Sequence, residues 1–272
     1  MPVGPQAPPC GPPSSRLEVP LIPTPIQSAL EAMRKAEVPS LLIGGQACIL
    51  YGGAEFSRDL DLMIAAAPAD LGRVPRALEV LEAHPIAVPP FDAELLDRGH
   101  AVHFRCARAD VRGLRLDLMT RPPRLVDVAA VWERHVVFDL DFGPVPAVAL
   151  EDLVLTKKTQ RDKDWATIGE LVEADMVAHR TQVDERRLGF WLREARNADT
   201  LIELATAYPD AASAAVARRP LLGAALKGDS AALELQLAQE QIEGKAADRQ
   251  YWAPLRQEME AMRQELRRRG NT

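Results

Sequence analysis

The sequence predicts an α/β (α+β) protein of 272 residues, with strands and helices interleaved to about residue 149 and helices alone from residue 150 onward. Two patterns carry this. In the first part, short apolar runs of strand character alternate with segments of helical spacing. From Leu150 to the end the apolar spacing is helical throughout, with no strand signal. Hydrophobic residues make up 47% of the chain, ample for a core, and no run of 18 apolar residues predicts a membrane span. Residues 1–20 are rich in Pro and Gly, without a basic or apolar signal-peptide region, and read as a disordered leader. The expected organisation is therefore that leader, a core over 21–149 and a helical domain over 150–272.

In the stretch Thr24-Pro25-Ile26-Gln27, Thr24 is placed to cap, Pro25 fits the first helical position and Gln27 completes a capping box. Ile26, Ala29, Leu30 and Met33 follow at helical spacing until Pro39 stops the run. Ser40–Ile43 reads as a strand, Gln46–Tyr51 as a short helix closed by Gly52-Gly53, and the segment from Asp59 to Ile64 as a second strand. Pro75 opens a helix through about Ala83, and Gly99 closes a short helix within Phe91–Arg98. Ala101–Ala107 and Leu114–Thr120 alternate as two strands of a hairpin. Asp127–His135 reads as a helix, Val136–Leu140 as a short strand, and Pro144 and Pro146 as a boundary. Later helices are expected over Asp164–Ala174, Asp184–Arg196, Thr200–Ala207, Ala211–Arg218 and Ala231–Arg269, with Gly244 a possible interruption of the last.

The most informative segment is Gly44-Gly45, followed after thirteen residues by Asp59-Leu60-Asp61. Glycines between a strand and a helix let an anion approach the backbone closely, and N–H groups at a helix start attract it. Period 2 places Asp59, Asp61 and Met63 on one face, and Leu60, Leu62 and Ile64 on the other. Two carboxylates side by side repel, and a divalent cation between them removes the repulsion. Mg²⁺ suits such a place because it takes one or two carboxylates together with substrate phosphates. A phosphate cradle beside a carboxylate pair points to a nucleoside triphosphate. A surface hairpin with solvated aspartates is the bland alternative.

In the hairpin's second strand, Leu116 and Leu118 face one way while Arg115, Asp117 and Met119 face the other. Asp117 becomes a third ligand if this strand lies beside the D-x-D strand, and is otherwise an ordinary exposed position. Leu150, Leu153 and Val154 form an apolar stripe that carries Lys157 at its next turn, with Arg161 one turn further and Lys158 the close alternative. The histidines have no ligand spacing. Cys10, Cys48 and Cys106 have none either, and buried thiols at 48 and 106 fit a reducing cytoplasm. A net charge of −6 leans against broad nucleic-acid binding, and the arginines at 267–269 read as a solvated helix end.

These residues resemble the nucleotidyltransferase superfamily that includes DNA polymerase β. Gly44-Gly45, Asp59-Leu60-Asp61 and Asp117 carry the resemblance. The stretch Phe56-Ser57-Arg58-Asp59-Leu60-Asp61-Leu62 looks most like minimal bacterial members and abortive-infection type toxins. Ser57 matches their pattern; Glu55 stands where they often have Arg, with Arg58 as a substitute. Lys157, Lys163 and Asp164 resemble a segment after the catalytic sheet of bacterial members, and Thr167 replaces a usual Asp. The resemblance covers roughly residues 21–175.

It implies a short mixed sheet, a helical C-terminal domain walling a cleft, and two Mg²⁺ ions held by Asp59, Asp61 and Asp117. It further implies that an acceptor oxygen attacks the α-phosphorus of an NTP in line and pyrophosphate leaves. Gly44, Gly45, Ser57, Arg58, Lys157 and Arg161 are then the nucleotide-binding residues. The acceptor is a tRNA, a protein or a small molecule, and an antitoxin is the implied partner of a toxin. The alternatives are an inactive nucleotide-binding or interaction module on the same fold, and a scaffold acting through its helical half.

Overall fold

A computed structural model describes residues 23–54, 56–86 and 88–270. The leader expected over 1–20 and the departure at Glu55 lie outside them. The chain opens with α1 (Thr24–Lys35), β1 (Ser40–Ile43), α2 (Gly44–Leu50) and β2 (Leu60–Ile64), and continues with α3 (Pro68–Leu71), α4 (Val74–Val80), β3 (Ala83–Pro85) and α5 (Ala93–Asp97). The hairpin β4 (Val102–Cys106) and β5 (Arg115–Met119) follows, then α6 (Val128–Glu133), β6 (Val136–Leu140) and β7 (Gly143–Ala147). After these come α7 (Leu150–Thr156), α8 (Asp162–His179), α9 (Glu185–Glu194), α10 (Ala198–Ala207), α11 (Pro209–Ala215), α12 (Leu222–Ala225) and α13 (Ser230–Gly270). Helices alone therefore follow β7 among the described residues, as the spacing predicts.

The strands form one mixed sheet in the order β3-β4-β5-β2-β1-β7-β6. β2 runs parallel to β5 and β1 parallel to β7; the other neighbours are antiparallel. Leu60, Leu62, Leu116 and Leu118 are fully buried, so the leucine face of β2 and β5 is core and the aspartates stand on the opposite face. Ile26, Ala29 and Met33 bury one side of α1.

Several boundaries differ from the sequence reading. α1 begins at Thr24 with Pro23 at its N-cap and no side-chain cap bond, so Thr24 caps nothing. α4 stops at Val80, and Ala83–Pro85 forms the edge strand β3, a position that tolerates proline. β7 runs through the expected boundary at Pro144 and Pro146. The two prolines stand on alternate positions, so their missing N–H groups are lost from one side of the strand only, and β7 meets β1 at a single registered pair, Leu42 with Ala147. α12 was not anticipated. α7 ends at Thr156, so Lys157 is its C-cap and the stripe does not continue as helix to Arg161, which instead N-caps α8.

α13 has 41 residues and is about 60 Å long at 1.5 Å per residue. Gly244 does not interrupt it. A Cβ at Gly244 would lie 2.4 Å from Trp165 Cη2, so the glycine is a notch that receives the indole of α8. Trp165 is held there by its own hydrogen bond, Nε1 donating to Thr159 O at 2.7 Å.

The notch makes an opposed pair of effects measurable. Gly→Ala in an exposed helix gains about 1 kcal/mol. At position 244 overpacking against a tethered, buried indole costs about 1–3 kcal/mol. Gly244→Ala is therefore expected to lower the urea midpoint, and a raised midpoint would show that the indole does not rest on this glycine.

Candidate functional site

Sheet register assembles the site. Ile43 of β1 is the Cα partner of Asp61, so the chain leaves β1 into Gly44 directly beside that carboxylate. Gly44 has φ +68°, and a Cβ there would lie 2.0 Å from Asp61 Oδ2. A Cβ at Gly45 would lie 2.3 Å from Ser57 Oγ. Position 44 thus requires glycine twice over, for its backbone and for space. The Gly45 N–H donates to the Asp61 carboxylate.

Asp117 is the Cα partner of Asp61 across the parallel β2–β5 pair. Neighbouring strands lie about 4.8 Å apart, so the two carboxylates share one face at close range. Asp59 sits at the bend just before β2 and also repels Asp61. Burial, and then the Asp117 charge, push Asp61 up to about 6, although the Lys157 ammonium and the Gly45 N–H act against them. Asp117 behaves oppositely. Burial would raise it, but hydrogen bonds from His103 and Arg115 outweigh burial and hold it below the usual carboxylate range. Arg115 Nε donates to Asp117 Oδ1 at 2.8 Å, and His103 Nδ1 lies 2.8 Å from the same oxygen.

Lys157 is buried, with Nζ 3.7 Å from Asp164 Oδ1, and its charge acts on both Asp61 and the Cys48 thiol. Burial pushes that thiol up to about 11, so it stays neutral. Lys158 turns away to Glu194, 2.7 Å from its Oε2. Of the two lysines, Lys157 is the one whose charge acts on Asp61. Arg161 spends its Nε on Asp164 Oδ2 at 2.7 Å and is largely exposed. Arg58 lies over the exposed Phe56 ring, 5.5 Å from its centroid. Neither arginine is hydrogen-bonded to the three aspartates. Ser57 Oγ lies against Gly45, 3.5 Å from Asp59 O.

Sequence reasoning set aside His103 and assigned no role to Arg115, Gln46 or Asp248. The hairpin register that pairs His103 with Asp117 was the available signal for the histidine. Arg115 shares the Asp117 face by period 2. Gln46 is fully buried, its amide nitrogen donates to Ser57 O at 2.8 Å, and its Oε1 has no partner.

Among the described residues no three His, Cys, Asp or Glu side chains converge as a ready-made cation cage. The donor pair is Asp61 and Asp117, adjacent like charges, with Asp61 raised by burial and then by the Asp117 charge. Such a pair fits a divalent ion that takes two carboxylates and completes its shell from other ligands, phosphate oxygens included. A cavity of about 510 Å³ lies elsewhere, lined by residues that include Asp162, Trp165, Glu173, Arg196 and Gln241. It is an open groove, and none of its lining residues belongs to the aspartate cluster, so the charged cluster and not the cavity carries the functional reading.

The raised Asp61 has a thermodynamic sign. Its proton is bound more tightly in the folded state than in the unfolded chain, so stability without metal falls as pH rises from about 4 through about 6. Asp61→Asn removes that loss while its side-chain oxygen still accepts from Gly45. In EDTA the variant is expected to be more stable than wild type at pH 7.5, on the order of 2 kcal/mol, and equal to it below pH 4. Parallel melting curves across pH would contradict the assignment.

No family model matches the chain, and no curated protein matches it. Among solved structures, an antigenic nucleotidyltransferase-like protein from Paracoccidioides brasiliensis is similar to it. The match is 18% identical, covers 75% of this chain and 90% of that one, and has a TM-score of 0.40. No helix of the described residues is long and apolar enough to cross a membrane.

Proposed function

We propose that this chain is a Mg²⁺-dependent nucleotidyltransferase, moving a nucleoside monophosphate from an NTP to an acceptor hydroxyl with release of pyrophosphate. One observation supports it above the others: Asp61 and Asp117 are side by side in register, with Gly44 and Gly45 packed against Asp61 and Ser57. Asp59, Asp61 and Asp117 are the proposed holders of Mg²⁺. When bound, Mg²⁺ supplies charge neutralisation of the triphosphate and a more acidic acceptor hydroxyl. The backbone at Gly44 and Gly45, with Ser57, leaves room for phosphate oxygens. Lys157, buried and fixed, adds a point charge to the same anion. Arg58 and Arg161 are proposed outer contacts for the nucleotide, reached by release of their present partners.

A second reading has its own observation. Asp117 is already engaged by Arg115 and His103. A site neutralised in that way suits a module that binds a nucleotide without turning it over.

The full chain incubated with α-labelled NTPs, Mg²⁺ and cell extract is expected to transfer label. Asp59→Ala and Asp61→Ala are expected to reduce transfer by roughly a hundredfold or more, as loss of preorganised charge in a site does. Equal labelling by all three proteins sinks the enzyme, and calorimetric NTP binding without pyrophosphate release selects the module. The labelled species identifies the acceptor as tRNA, protein or small molecule.

A toxin role, with an antitoxin as partner, carries its own expectation: wild type arrests growth on expression and Asp61→Ala does not. Arrest by both would separate toxicity from the site.

A further inference from the structure

The aspartate cluster already contains a cation besides Lys157. Arg115 Nε donates to Asp117 Oδ1 at 2.8 Å, and Arg115 Nη2 lies 3.1 Å from His103 Nδ1. The hydrogen bond to Asp117, followed by the charges of Asp117, Asp59 and Asp61, raises the guanidinium's proton affinity, so all three acids act on this one group. Arg115 and Asp117 are two apart on one strand and share a face, so the fork reaches the carboxylate without distorting β5. The two partners are unequal in burial: the Asp117 side chain is 11% exposed and the Arg115 side chain 39%. Asp117 is fixed in the sheet, whereas Arg115 can swing into solvent.

We propose that Arg115 is the resident counter-cation of this cluster, and that it must release Asp117 before a divalent cation can be held between Asp117 and Asp61. The inference rests on the reading of those two carboxylates as the cation-holding pair. Its physical basis is competition. Asp117 Oδ1 accepts from Arg115 and lies against His103, so a second cation gains little from that oxygen until the guanidinium leaves. Without any cation the like charges of β2 and β5 face each other uncompensated, and Arg115 relieves that. Arg115 therefore weakens divalent binding while stabilising the metal-free fold. Once released, its five donors are free beside the place where an anion is expected to lie.

The test is a Mn²⁺ titration of the full chain, followed by the resonance of free Mn²⁺, on wild type, Arg115→Gln and Arg73→Gln. Arg73 pairs with Asp70 at the surface and controls for loss of one positive charge. Arg115→Gln is expected to bind Mn²⁺ roughly tenfold more tightly than wild type, the scale of one charge-assisted hydrogen bond that no longer competes. Arg73→Gln is expected to bind as wild type does. Measurable but equal affinity for wild type and Arg115→Gln overturns the proposal and leaves the cation-holding pair intact. No binding by either overturns the pair and the proposal together. Should Arg115→Gln fail to fold, the Arg115 Nε–H resonance of wild type decides: it is expected to shift as Mg²⁺ saturates the protein, and an unmoved resonance overturns the proposal.

Discussion

The parallel pairing of β2 with β5 is the constraint on which the rest of the site depends. It sets Asp61 and Asp117 opposite each other, one strand spacing apart, in a sheet whose other face is packed with leucines. Neither strand can slip to relieve the repulsion, because a one-residue shift would carry Leu60, Leu62, Leu116 and Leu118 to the charged face. The apolar core therefore holds a like-charge pair together. Four groups answer that imposed charge: the Gly45 N–H and the Lys157 ammonium act on Asp61, and Arg115 and His103 act on Asp117, while Asp59 adds to it. Gly44 is small because Asp61 leaves no room for a side chain.

The helical half supplies its cation to the site from a loop. Residues 157–161 lie between α7 and α8 and carry Lys157. Asp164 receives the Thr159 hydroxyl and Arg161, and stands beside Lys157. Gln160 donates to the buried Asp248 of α13 at 3.0 Å, and Trp165 bonds Thr159 O from its notch at Gly244. Lys245 and Gln241 of the same helix hold Asp162. α13 is thus a strut whose contacts hold the loop and the start of α8 next to Lys157. Further along the same helix, Glu258 meets Arg98 and buried His100 and fastens the far end to the sheet half.

Much of this was legible because local rules act over short distances. The β1–α2–β2 run, the β4–β5 hairpin and the leucine–aspartate alternation follow from period and from glycine placement alone. Prolines misled where tertiary position overrides them: Pro144 and Pro146, read as a boundary, lie within β7 and remove donors from one side of it only. The end of α7 at Thr156 was not readable from apolar spacing, because residues 157–164 hold no apolar side chain to mark where the stripe stops, and the choice between Lys157 and Lys158 turned on that end. Glu194, which takes Lys158, lies 36 positions away, and no spacing rule connects them. The roles of His103 and Arg115 likewise needed cross-strand register, since each reaches Asp117 only because of where β4 and β5 are paired.

The two cations that balance the cluster are not equivalent, and the difference lies in how each is held. Lys157 is buried at the end of α7, beside Asp164, in a loop pinned from α13; moving it requires loosening several elements at once. Arg115 is tied by its hydrogen bond to Asp117 on its own strand, with more than a third of its side chain in solvent. Desolvation has therefore already been incurred for the lysine and only partly for the arginine, so exchanging the arginine for another cation costs less. A cluster with one permanent and one exchangeable positive charge keeps its carboxylates compensated without a ligand and still leaves one of them open to one.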